Sequence, residues 1–197
     1  MLKNILFISV MLLFYSCSDR TGGCTDPIAE NYESFADFDD GSCLYIAGCT
    51  DPLALNYDPD ATLEEINECL YSCEIVWYLT KSASDFMLLN GVDSYDFYLK
   101  YENNSFGFIE NNFWFTSAPD CTPQSGVLIQ EFEWYGNYNN SAAIVQWEAW
   151  SDDGFLDYEN SDIVYPNQCI SIGLDGAQLK TYRDNNPERQ KREKPAI

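Results

Sequence analysis

The amino-acid sequence predicts a mainly β protein, two small disulfide-stapled acidic repeats followed by an antiparallel β-sandwich, and three observations lead there. A segment occurs twice near the start, Gly23-Cys24-Thr25-Asp26-Pro27 through Cys43-Leu44-Tyr45 and Gly48-Cys49-Thr50-Asp51-Pro52 through Cys69-Leu70-Tyr71. Ala29/Ala54, Asn31/Asn56, Tyr32/Tyr57 and Ala36/Ala61 keep one register between the copies. Beyond them, short runs rich in β-branched and aromatic residues alternate with turn signals, the pattern of an antiparallel β domain. Basic residues are scarce: 10 Lys and Arg stand against 32 Asp and Glu, a net charge of −22, and none lies between Thr21 and Thr80. That distribution excludes nucleic-acid binding through phosphates.

Residues 1–16 read as a signal sequence, with Lys3 ahead of an apolar run of about ten residues, too short to span a bilayer. The run stops at Ser16-Cys17 and turns polar at once, which resembles a bacterial lipoprotein signal with Cys17 as the lipidated residue. Phe14 and Tyr15 depart from that pattern, which has leucine and a small residue there. The alternative is an ordinary cleaved signal with a structural cysteine. Residues 17–22 form a tether, 23–47 and 48–71 the repeats, 72–179 the sandwich, and 180–197 a charged tail read as disordered, holding six of the ten basic residues. These features predict an exported chain, lipid-anchored to the outer membrane and exposed at the cell surface.

Eight cysteines in an exported chain predict disulfides. The repeat register pairs Cys24 with Cys43 and Cys49 with Cys69, so that each module closes on itself. Such bridges contribute about 3 kcal/mol each in the chain-entropy view. Of the rest, Cys121 with Cys169 is preferred, and Cys73 is the alternative partner for either.

Strand candidates then follow in order: 74–80, 94–101 (with Tyr95, Phe97, Leu99 and Tyr101 on one face), 106–109, 112–116, 127–135, 142–150, 155–158, 162–165 and 169–174. Turn signals such as Ser151-Asp152-Asp153-Gly154 separate them. Only residues 82–89 suggest a helix.

The repeat, Gly-Cys-Thr-Asp-Pro-x-Ala-x-Asn-Tyr with an acidic stretch and Gly-Ser-Cys-x-Tyr in the first copy, is similar to the Gly-Cys-Thr-Asp-Pro repeats of Bacteroidetes surface proteins, described as thrombospondin type 3-like. The second copy departs from it at Glu64-Glu65-Ile66-Asn67-Glu68. The larger domain resembles, more weakly, a β-domain of lipoproteins from the same bacteria through Val76-Trp77-Tyr78, Ser117-Ala118-Pro119-Asp120-Cys121 and Asn167-Gln168-Cys169. That likeness implies no activity.

Asp26-Pro27 and Asp51-Pro52 have the arrangement of a helix N-cap followed by proline, with Asn31 and Asn56 ending the turn. A second reading gathers oxygen ligands for calcium: Asp26, Asn31, Asp37, Asp39 and Asp40 in the first module, and Asp51, Asn56, Asp58, Asp60 and Glu64 in the second. Neither copy fits an EF-hand loop. Trp134 and Trp150 are candidate stacking platforms for a glycan, with Trp114, Tyr135 and Tyr138 nearby in type, whereas Trp77 and Trp147 read as core. The sequence has no histidine, which removes Ser-His-Asp and Cys-His catalysis. A carboxylate hydrolase using Glu131 with Glu133, or Glu148 with Asp152, is the remaining catalytic option. The expectation is therefore a non-enzymatic surface protein whose acidic repeats space a glycan- or protein-binding domain from the membrane. A purely structural envelope component is the alternative.

Overall fold

The computed structural model describes residues 20–64, 68–100, 104–137, 139 and 141–191. The signal sequence, Cys17, Tyr138 and residues 192–197 of the tail lie outside the described residues. The chain divides into two compact units: one runs through Ala47 and includes Asp60–Leu63, and the other holds Gly48–Pro59 and everything from Glu64 onward. Unit boundaries therefore cut through the second repeat.

In the first unit, β1 (Gly22–Gly23) pairs in parallel with β2 (Phe38–Asp39). The same exchange recurs one repeat later, as an isolated bridge between Ala47 and Leu63. Thr62 and Leu63 both donate to the Ile46 carbonyl, at 2.9 and 3.0 Å, as Asp37 donates to that of Thr21 at 2.8 Å. This pairing is what draws residues 60–63 into the first unit.

The second unit is built on β3 (Cys69–Leu79), the middle strand of a three-stranded sheet. It pairs antiparallel with β6 (Val127–Gly136) and parallel with β9 (Cys169–Leu174). A four-stranded antiparallel sheet has the order β5 (Gly107–Glu110), β4 (Ser94–Leu99), β7 (Ala143–Ser151), β8 (Leu156–Val164). Inward side chains of both sheets share one core: Ile75, Trp77 and Leu79 from β3, Tyr95 and Phe97 from β4, and Val145, Trp147 and Ala149 from β7. Trp77 sits at its centre, with ring centroids 4.9 Å from Phe106, 5.9 Å from Phe132, 6.0 Å from Trp147 and 6.1 Å from Phe97. Its indole N–H has no conventional acceptor among the described residues and is surrounded by aromatic rings.

The mainly β expectation holds, with antiparallel pairing dominant; the β3–β9 pair is a parallel exception. Ile75-Val76-Trp77-Tyr78-Leu79 is apolar without alternation because both faces of β3 are covered. Outward-facing Val76 is buried beside Ser171 of β9, whose hydroxyl donates to the Pro119 carbonyl. The segment between β5 and β6 thus crosses the outer face as a strap, pinned by the Cys121–Cys169 disulfide and by the Phe115 amide donating to Leu79. Residues 112–116, expected as a strand, belong to that strap and make only a single bridge, Thr80 with Phe115. The segments 155–158 and 162–165, expected as two strands, form one, β8. Gly154, at φ +87°, turns β7 into it.

Helix α1 (Lys81–Leu89) is where residues 82–89 suggested one, capped by Thr80. Helix α2 (Gly176–Asn185) was not expected. It starts in a capping box between Asp175 and Gln178 and runs across the boundary drawn at Leu179. The two helix starts interlock: Ser82 Oγ donates to Asp175 Oδ2 at 2.7 Å and accepts from the Gly176 amide at 3.2 Å. A Cβ on Gly176 would lie 2.2 Å from the Ser82 carbonyl oxygen, so only glycine allows this approach.

Candidate functional site

The repeat motif residues hold turns. Asp26 Oδ1 accepts from the Ile28 amide at 3.0 Å and Oδ2 from the Tyr45 hydroxyl at 2.8 Å. In the second copy Asp51 takes the same two bonds, from the Leu53 amide at 2.9 Å and the Tyr71 hydroxyl at 2.8 Å. Asn31 clips the closing segment with its amide, donating to the Ser42 carbonyl and accepting from the Leu44 amide, both at 2.7 Å. Asn56 does so with Glu68 and Leu70, again at 2.7 Å. The Asp-Pro steps open side-chain-stabilised turns and not helices, because the aspartate accepts from the amide two residues on and the chain then turns away. The Cys24–Cys43 and Cys49–Cys69 disulfides close both frames, and Cys73 is the free, buried thiol.

The acidic residues gathered as calcium ligands are dispersed over these turns. Asp37 Oδ2 accepts from the Thr21 amide at 3.0 Å, Asp39 Oδ1 from Gly41 at 2.9 Å and Asp40 Oδ1 from Ser42 at 3.0 Å. Glu64 takes the Thr50 hydroxyl at 2.5 Å; Asp60 is assigned to the first unit and Asp51, Asn56, Asp58 and Glu64 to the second. Among the described residues no three His, Cys, Asp or Glu side chains converge as a metal-holding group. Local bonding also sets the acidity. The Ile28 amide and Tyr45 hydroxyl hold the Asp26 carboxyl below its ordinary range, and Ser42 does the same for Asp40. Burial, followed by the hydrogen bond to Asp51, pushes the Tyr71 hydroxyl up.

The two tryptophans proposed as stacking platforms differ. Trp150 is only 5 % exposed. It clusters with Tyr98, Leu156 and Tyr182, and its indole donates to Glu148 Oε2 at 2.8 Å. Strand alternation put Trp150 on the outward face, and helix α2 carries Tyr182 to that cluster, so Trp150 presents no open face to a sugar. Trp134 is half-buried and lines a groove of about 320 Å³ with Phe132, Glu133, Leu99, Lys100 and Gln146. It packs on Tyr71, with centroids 5.9 Å apart, and donates to the Ser141 carbonyl at 3.0 Å. This groove is the candidate ligand site: aromatic side chains line it, and Lys100, Glu133 and Gln146 are among its bordering residues.

The two carboxylate pairs considered for hydrolysis lie in different settings. Glu131 and Glu133 lie exposed on the outer face of β6, with Glu131 opposite Glu74 in the ladder. Glu148 is buried against Trp150, and Asp152 accepts from the Asp93 amide at 3.1 Å.

The carboxylate that matters most to packing is one the sequence did not single out. Asp157 is the extra residue of a bulge between Ala149–Trp150 and Leu156–Tyr158, which turns its side chain inward until it is wholly buried. There it accepts from the Tyr95 hydroxyl at 2.9 Å, from Arg183 through Nε at 3.0 Å and through Nη2, and from Arg189 Nη1. The Gln190 carbonyl accepts from the Leu156 amide at 3.0 Å, and Lys191 bridges to Phe155. The chain after Leu179, read as a solvated tail, is thus ordered through Lys191 by a buried anion. The capping box at Asp175 and Gln178 was the available signal for α2.

Comparison with protein-family models, with curated proteins and with solved structures finds no match.

Proposed function

We propose that this chain is a non-enzymatic, lipid-anchored protein of a bacterial cell envelope, exposed at the surface, whose β-domain binds a glycan or protein in the Trp134 groove. The observation that carries the reading is the groove itself, where Trp134 and Phe132 adjoin Lys100, Glu133 and Gln146. An aromatic floor beside a few polar groups suits a sugar ring, whose C–H face stacks while its hydroxyls hydrogen-bond. Export is supported by three disulfides, a framework that persists outside the reducing cytoplasm. The acidic repeats serve as scaffold, the first as a self-closed unit and the second as a base for the β-domain.

A purely structural role is favoured by one observation: Trp134 already packs on Tyr71 and has its indole N–H bonded to Ser141. A glycan array probed with the mature protein separates the two. Specific binding that is lost in both Trp134→Ala and the exposed Gln146→Ala, with far-UV circular dichroism unchanged, supports the ligand reading. No binding across the array, together with co-purification of one fixed envelope partner, supports the structural one. Intact mass of the protein from its native envelope checks the anchor through a lipid adduct on Cys17.

A further inference from the structure

Positive charge is rare in this chain, and three of its cations line one cleft. Among the described residues Lys81 is paired with Asp85 and Lys100 with Glu159, whereas Lys180, Arg183 and Arg189 all line a cleft of about 560 Å³ between the end of α1 and the far side of α2. Phe86 and Asn90 form its other wall, and Asp184 is its one acidic lining residue.

We propose that this cleft binds a small oxyanion, a sulfate, phosphate or carboxylate group carried on a sugar-sized ring. Asp157 prepares the site from behind. Buried and unable to move, it takes Nε and Nη2 of Arg183 and Nη1 of Arg189. Nη1 of Arg183 and both Nε and Nη2 of Arg189 take no part in these bonds to Asp157. Two planar guanidinium forks, each held by its own ion pair, are suited to bidentate oxyanion recognition and lose little freedom on binding. Phe86 stacks against one fork, with the guanidinium carbon of Arg183 4.9 Å from the ring centroid, and so helps hold that fork in place. Lys180 is exposed, has no ion-pair partner among the described residues and adds a mobile cation at the rim. The chain's net negative charge does not forbid this. At physiological ionic strength the screening length is about 8 Å, so the charges that count are those of the cleft, three cations against Asp157 and Asp184.

The site is separate from the Trp134 groove and is tested separately. Glucuronate, glucose 6-phosphate and glucose 6-sulfate are titrated calorimetrically into the mature protein, with uncharged glucose as the reference. The expected result is that at least one charged sugar binds, that glucose does not, and that added salt weakens the binding. Lys180→Glu, a surface change that leaves the thermal midpoint in place, is expected to weaken it about tenfold. Arg189→Gln should weaken it as well, and Trp134→Ala should leave it unchanged. Charged sugars that bind no better than glucose, or equal binding by wild type and Lys180→Glu, would overturn the proposal.

Discussion

The two repeats carry the same hydrogen bonds in different surroundings. Asp26 with Tyr45 and Asp51 with Tyr71 share a distance of 2.8 Å, yet Tyr45 is 41 % exposed and Tyr71 is fully buried. Around the second pair lie Cys49, Ala54, Cys69 and Trp134, and the side-chain amide of Asn167 donates to the Leu53 carbonyl at 3.0 Å. Closing Cys69 is also the first residue of β3, so the last bond of the repeat is the first of the sheet. The motif therefore specifies local geometry in both copies, and its neighbours decide what that geometry is worth. In water the exposed bond competes with solvent; in the interior the same bond satisfies groups that would otherwise be stranded.

The disulfides offer the largest test of this contrast. Replacing Cys49 and Cys69 by serine removes about 3 kcal/mol and should lower the main calorimetric transition, because β3 starts at that bridge. The matching replacement of Cys24 and Cys43 opens a loop of nearly the same length but should spare the main transition and loosen only the first unit. Equal shifts would show that the units unfold as one. Asp51→Ala comes next: it leaves the Tyr71 hydroxyl buried without its acceptor and should cost about 1–3 kcal/mol, measured by urea denaturation. Asp26→Ala should cost less than about 1 kcal/mol, since water replaces the lost bond.

Acid supplies the smallest effect. Asp26 has a folded pKa below its unfolded value of about 3.9. Its contribution is complete above that value and is lost as pH falls toward the folded pKa. Thermal midpoints of the first unit recorded from neutral pH downward should fall less steeply in Asp26→Asn than in wild type, and parallel curves would remove Asp26 from the acid response.

The disulfide framework was legible because a repeat with cysteines at both ends has one register in which each copy closes alike. With Cys17 lipidated, parity leaves one of Cys73, Cys121 and Cys169 unpaired without saying which; the structure pairs Cys121 with Cys169 and buries Cys73, whose thiol burial raises to a pKa of about 11. Most strands were legible from their alternation. The roles of Asp26 and Asp51 were half legible: an Asp-Pro step marks a turn, but the tyrosine that completes it lies about twenty residues on, across the disulfide. Trp134, named by residue type, lines a groove, whereas Trp150 is covered: alternation says which face a side chain takes and not whether another element covers that face. The segment after Leu179 read as solvated since its charges alternate, and nothing local announces that Arg183 and Arg189 meet a carboxylate. That meeting depends on a bulge in β8, where one extra residue turns Asp157 from the surface to the interior.

The clamp on Asp157 also orders events in time. A chain emerges from its N-terminus onward, so both sheets can be complete in length while Asp157 still waits for Arg183 and Arg189. Until they arrive, that carboxylate has only the Tyr95 hydroxyl of its folded-state partners. Closure of the β-domain is therefore coupled to the arrival of α2 and Arg189, and chains that stop before Arg189 should be more readily cut by added protease. A folded molecule, by contrast, certifies that its C-terminal segment has been made.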